Sequence, residues 1–178
     1  MNHDENRRIL IIDDNPSIHE DFRKILAARS PAAGALDAQE AALFGTAPTG
    51  QPTPGFELAS AFQGEEGLKQ IDEAQARQQP FALAFVDLRM PPGWDGVETI
   101  ERILPVDPNV QIVICSAYSD YSAQDILERL GVSDRLLLLR KPCDAAEILL
   151  IATSLCTKWN VTHSARGLRN APCASATI

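Results

Sequence analysis

Five polar side chains stand directly after apolar runs, and their types suit the transfer of a phosphoryl group beside a divalent cation. Asp13 and Asp14 follow Ile9-Leu10-Ile11-Ile12, and Asp87 follows Ala82-Leu83-Ala84-Phe85-Val86. Ser116 follows Val110-Gln111-Ile112-Val113-Ile114-Cys115, and Lys141 follows Leu136-Leu137-Leu138-Leu139-Arg140. A carboxylate such as Asp87 can attack a phosphoryl group and hold it as an acyl phosphate. That transfer needs little more than positioning and neutralised charge on the phosphoryl oxygens. Asp13 and Asp14 offer hard oxygens to Mg²⁺, or to Mn²⁺ as the alternative. Three carboxylates so close repel one another, so at least one should titrate above its ordinary range. Lys141 brings a compact positive charge on a flexible stem, and the Ser116 hydroxyl can donate one hydrogen bond. Each residue alone is commonplace: an Asp-Asp pair caps a helix, a Ser starts one, and Lys-Pro ends a strand. Their recurrence at the ends of successive apolar runs is what points to a site.

The elements that must carry these residues follow from the pattern of apolar runs. Strands are predicted over 8–12, 56–61, 81–86, 110–115 and 135–140. Helices are predicted from Pro16, where a missing N–H costs nothing, with Asn15 or Asp14 as cap, and over 65–77, 96–104 and 121–130. Gly131 closes the fourth of these, and Asp144 caps a last helix reaching about Trp159. In the first helix, Ile18, Phe22, Ile25 and Leu26 recur at helical spacing. Short, nearly continuous apolar strands alternating with helices predict an α/β fold with a doubly wound parallel sheet covered on both faces. Right-handed crossovers then bring every strand C-terminus to one edge, where ligands bind in such sheets. Residues 30–55, rich in Pro, Gly, Ala and Thr, interrupt the alternation as an inserted loop, with 37–44 able to form a short helix. Residues 160–178 form a polar tail without acidic residues that carries His163, Arg166 and Arg169, expected to be flexible.

At 178 residues the chain is of single-domain size, and its 45% apolar content is that of a globular protein. The formal charge of −8 argues against a general nucleic-acid partner, which needs a basic face. The longest apolar runs fall far short of the ~20 residues of a membrane span, and the polar start has no signal-peptide stretch. Four cysteines (Cys115, Cys143, Cys156 and Cys173) form no Cys-x-x-Cys pair, so reduced thiols in a cytoplasmic protein are expected.

The stretch Val86-Asp87-Leu88-Arg89-Met90-Pro91-Pro92-Gly93-Trp94-Asp95-Gly96 resembles the phosphoacceptor loop of response regulator receiver domains, with one extra residue. Ile114-Cys115-Ser116-Ala117-Tyr118 and Arg140-Lys141-Pro142 match two further signatures, and the resemblance spans residues 7–159. It implies a flavodoxin-like sheet of strand order 2-1-3-4-5 and phosphorylation at Asp87. It also implies Mg²⁺ ligation by Asp14, Asp87 and the Arg89 carbonyl, with Asp13 acting through water. Ser116 would sense the phosphoryl group, Lys141 would pair with it, and the Lys141–Pro142 peptide is commonly cis in the family. Leu138 departs from the pattern, since a Phe or Tyr that swings inward often stands there. Output then relies on Ser116 and the loop after strand four. Tyr118 stands where side-chain bulk can control water access; the alternative is an ordinary rim residue. Trp94 reads as a partly exposed rim residue.

The resemblance implies a receiver that takes its phosphoryl group from a histidine kinase or a histidine phosphotransfer protein. It would switch contacts with a downstream target, an effector domain or a second copy through the face after strands four and five, without binding nucleic acid or a membrane. Either a phosphoryl relay or a regulator acting through protein contacts is expected, standing alone or as a module of a larger signalling protein. Its chemistry would be limited to self-catalysed phosphotransfer and dephosphorylation. Two alternatives differ in kind. A degenerate receiver would bind proteins without phosphorylation, against which the full residue set speaks. A haloacid-dehalogenase-like phosphohydrolase needs a second Asp two residues beyond its nucleophile, and that position is Arg89.

Overall fold

The computed structural model describes residues 5–27, 55–117, 123–131 and 133–169. Tyr118, nearly all of the 30–55 insertion with its proposed helix over 37–44, and residues 170–178 lie outside them. The described elements are β1 (Arg8–Ile12), α1 (Pro16–Leu26), β2 (Glu57–Ala61), α2 (Gly64–Ala76), β3 (Leu83–Asp87), α3 (Gly96–Val106), β4 (Gln111–Ser116), α4 (Ala123–Leu130), β5 (Leu136–Arg140) and α5 (Ala145–Arg169). The strands pair in parallel in the order β2-β1-β3-β4-β5: the doubly wound parallel sheet expected from the apolar runs, in the flavodoxin-like order that the resemblance implied.

Period-two alternation sorts the strand residues between two buried layers. Leu10, Ile12, Ala84, Val86, Ile112 and Ile114 face one layer, with Ile71 of α2, Val97, Ile100 and Ile103 of α3 and Ile126 of α4. Ile9, Ile11, Leu83, Phe85, Val113 and Cys115 face the other, with Phe22 and Leu26 of α1 and Ile148, Ala152, Cys156 and Trp159 of α5. Burial on both faces explains why the strands read as unbroken apolar runs. Cys115 and Cys156 serve as small apolar filler; burial raises both thiols, that of Cys156 to about 12.

Local chemistry sets the helix ends. Asn15 caps α1 by accepting from the Ser17 N–H (3.0 Å), with Pro16 in the first turn. Asp95 caps α3 by accepting from the Glu98 N–H (2.7 Å). Asp144 accepts from the Ala146 N–H (2.7 Å) at the start of α5. Gly131, at φ 75°, follows the last residue of α4, a left-handed position that suits glycine. Helix α5 overturns one expectation, because it continues through Trp159 to Arg169. Its polar residues bond back to the helix instead of ending it. The Thr162 hydroxyl donates to the Lys158 carbonyl (2.8 Å), the Asn160 amide donates to the Cys156 carbonyl (2.9 Å), and His163 stacks on Trp159 at 4.1 Å. Asn160 also accepts from the Asn6 N–H (2.8 Å) and donates to the Asn6 carbonyl (3.0 Å), tying the helix to the chain before β1. Among the described residues, no helix is long and apolar enough to cross a membrane.

Candidate phosphoacceptor site

The C-terminal ends of β1, β3, β4 and β5 place the expected residues along one edge. Asp13 follows β1 and Asp87 ends the neighbouring β3, while the Lys141 N–H donates to the Ser116 carbonyl (2.8 Å) and so extends the pairing of β5 with β4. The amine of Lys141 reaches between the two carboxylates. It donates to Asp13 Oδ2 at 2.8 Å and to Asp87 Oδ1 at 2.5 Å. The two carboxylate side chains retain 5% and 12% of their exposure and Lys141 27%, so this bridge lies largely out of water. Backbone groups hold the outer oxygens: the Asn15 N–H donates to Asp13 Oδ1 (2.9 Å) and the Arg89 N–H to Asp87 Oδ2 (2.9 Å). Asp14, one residue on, is exposed at the rim.

Burial is the largest influence on the Asp87 carboxyl and raises it above its ordinary 3.8. The hydrogen bond and charge of Lys141 oppose that rise, and the Asp13 carboxylate adds to it. The raised carboxyl anticipated from mutual repulsion is thus present, but desolvation contributes more than repulsion. Burial alone would lower Lys141; its bonds to Asp13 and Asp87 outweigh that and hold the ammonium above the ordinary lysine range.

The other expected residues are placed less simply. Ser116 is buried at the end of β4, but its hydroxyl donates to the Ala117 carbonyl (2.9 Å) and not to a group of the bridge. Leu138 is half-buried in β5 opposite Ile114. The Lys141–Pro142 peptide is cis and Pro142 is exposed. Trp94 is half-buried at the rim beneath the Arg102 guanidinium, 4.0 Å from its ring centre. Gly96 is required where α3 meets the end of β3. A Cβ there would lie 2.2 Å from the Asp87 carbonyl oxygen and 2.8 Å from Leu88 Cα.

Among the described residues, no three Asp, Glu, His or Cys side chains make a ready metal cage. The donors nevertheless fit a hard divalent ion. Asp13, Asp14 and Asp87 set three negative charges against the single ammonium of Lys141, leaving an excess of two, and all three donors are oxygens. Asp14, Asp87 and the Arg89 carbonyl are the groups that would hold it, with Asp13 behind them.

Two residues escaped the sequence. His19 is 1% exposed, with Nε2 2.7 Å from the Asp13 carbonyl and Nδ1 buried without a partner. Its signal was the spacing of His19, Phe22 and Leu26, the stripe of α1 that is in fact buried. Gln63 bonds to the loop after Asp87, some thirty positions ahead, which no local pattern reveals.

A model of the response regulator receiver domain family matches residues 49–153. The chain is 31% identical over 87 residues to sporulation initiation phosphotransferase F of Bacillus subtilis, covering 49% of this chain and 65% of that protein. It is 29% identical over 92 residues to the uncharacterized transcriptional regulatory protein YesN of the same organism, covering 52% of this chain and 23% of that one. The chain therefore spans less than two thirds of either relative. Among solved structures, the CheY-like response regulator receiver domain protein of Methanospirillum hungatei superposes with a TM-score of 0.60 at 20% identity, over 88% of this chain and 98% of that one. The family match leaves out β1, whose parallel pairing with β3 brings Asp13 to the edge that carries Asp87. With more than half of its residues matched and its strands in the receiver order, the chain belongs to the response regulator receiver domain family.

Proposed function

We propose that the chain is a phosphorylation-controlled switch in two-component signalling, with Asp87 as acceptor of a phosphoryl group from a histidine kinase or histidine phosphotransfer protein. The observation that carries this reading is the amine of Lys141 held between Asp13 and Asp87 at the sheet edge. An Asp87 oxygen attacks phosphorus, the new O–P bond forms as the donor's P–N bond breaks, and the donor imidazole leaves. Bound Mg²⁺ would neutralise charge on the phosphoryl oxygens. Lys141 is close enough to exchange its bond to Asp87 Oδ1 for one to the phosphoryl group, and Ser116 can turn its hydroxyl from Ala117 toward the same group. The added charge of about −1.5 to −2 then redraws the loop after β4 and the adjoining face of β5, where a target, an effector domain or a second copy reads the state. Kinship to a protein named a phosphotransferase supports a relay, and kinship to one named a transcriptional regulator supports an effector partner.

In this reading the protein is not an enzyme acting on outside substrates. Cytoplasmic residence belongs to the same reading and is supported by the free thiols of Cys115, Cys143 and Cys156. Incubation with Mg²⁺ and acetyl phosphate, followed by mass spectrometry, tests the proposal. One added phosphoryl group, absent from Asp87→Ala, is expected. No adduct with any donor refutes phosphoacceptance and leaves a protein-binding module, and steady turnover of unrelated phosphate esters points to a hydrolase.

A further inference from the structure

We propose that the corner between β2 and α2, Phe62 with Gln63, is a positioning element of the site: it braces both the loop after Asp87 and the turn that carries Asp13. The inference rests on Asp87 being the phosphoacceptor. Gln63 occupies the N-cap position of α2 in extended conformation, yet its side chain makes no capping bond. The amide reaches across to the loop instead, donating from Nε2 to the Pro91 carbonyl (3.3 Å) and accepting at Oε1 from the Gly93 N–H (3.2 Å). The absence of a side chain at Gly93 leaves room for this contact, since a Cβ there would lie 2.5 Å from Gln63 Oε1.

The corner is itself held, because the Phe62 N–H donates to Glu66 Oε2 (2.7 Å) from the first turn of α2. The Phe62 ring remains 41% exposed but lies 4.5 Å from the ring of His19. His19 meets the Asp13 carbonyl at 2.7 Å through Nε2. A carbonyl only accepts, so Nε2 carries the proton that bonds it, and the buried Nδ1 has no hydrogen-bond partner. An exposed aromatic ring is thus placed where it shields a buried imidazole that holds the acid turn. The two segments that carry the carboxylates, 13–15 and 87–93, lean on one two-residue corner. Gln63 is a positioning residue: it touches no reacting atom and sets how far the loop opens beside Asp87.

Gln63→Met removes both amide bonds at similar length, and Gln63→Glu keeps the acceptor for the Gly93 N–H while losing the donor to Pro91. Deuterium exchange of the 88–96 segment and the rate of phosphorylation by acetyl phosphate should be measured on the full chain, with urea midpoints as a control for folding. Loop exchange is expected to speed up roughly threefold to tenfold in Gln63→Met, the effect of two exposed hydrogen bonds. Gln63→Glu should fall between it and the parent, phosphorylation should slow in the same order, and the urea midpoint should stay near parental. Loop exchange at the parental rate in Gln63→Met overturns the brace; faster exchange with unchanged phosphorylation overturns its part in the reaction. A parent protein that gains no phosphoryl group overturns the reading of Asp87 instead, and loop exchange alone then decides the corner.

Discussion

Replacing Lys141 by Met leaves two carboxylates facing each other with no cation between them. The attraction being removed is large in gross terms. At an effective dielectric of about 20, unit charges about 3 Å apart attract by roughly 5 kcal/mol, and Lys141 meets two such partners, at 2.8 and 2.5 Å. Desolvation offsets much of this, and breaking a buried pair by deleting one partner costs about 3–5 kcal/mol. Lys141 retains 27% of its exposure, so water screens part of the loss and about 2–3 kcal/mol is the expected net cost. For a chain of this size that corresponds to a Tm lower by about 5–10 °C. Urea unfolding followed by circular dichroism, in the presence of a metal chelator, measures the change. The double variant Lys141→Met/Asp87→Asn should recover at least half of the loss, because the repulsion between Asp13 and Asp87 is gone. Mg²⁺ should stabilise Lys141→Met more than the parent, since its carboxylates have no other counterion. A Lys141→Met protein within ~0.5 kcal/mol of the parent, or a double variant no more stable than Lys141→Met, would refute the buried bridge.

Other perturbations probe the same frame. Because the Asp87 carboxyl is raised in the folded state, the fold binds its proton more tightly than the unfolded chain does. The cost of its charge is therefore full at neutral pH and fades as pH falls toward 3.8; Asp87→Asn should stabilise the protein most at pH 7, with the advantage shrinking under acid in urea titrations. Gly96→Ala drives a Cβ into the Asp87 carbonyl, and about 1–3 kcal/mol of destabilisation should accompany slower phosphorylation by acetyl phosphate. Asn160→Ala removes the bonds that tie α5 to Asn6 and should cost about 1–2 kcal/mol, with faster amide exchange confined to the start of the chain and the end of α5.

Much of the site could be read before any fold was known. Apolar runs of strand length, four of them followed by a polar residue of the site, led to the sheet, to its strand order through the family resemblance, and to Asp13, Asp87 and Lys141 at one edge. Strand periodicity and chain polarity are local properties, and a parallel sheet turns them into a shared edge without further information. The last helix escaped because polar composition resembles a loose tail unless its back-bonds are known. Thr162 and Asn160 spend their polar groups on carbonyls of their own helix, and Asn160 also meets Asn6 from the far end of the sequence.

The chain alone determined which groups gather; tertiary structure decided how each is held. That Lys141 already bridges both carboxylates, that Ser116 turns toward Ala117, and that burial outweighs repulsion at Asp87 depend on distances between segments far apart in sequence. The same is true of Gln63, whose partners Pro91 and Gly93 follow the next strand of the sequence, and of His19, which meets a backbone oxygen. A side chain's type limits the bonds it can make, but its partner is chosen by packing, and packing exists only once the layers close.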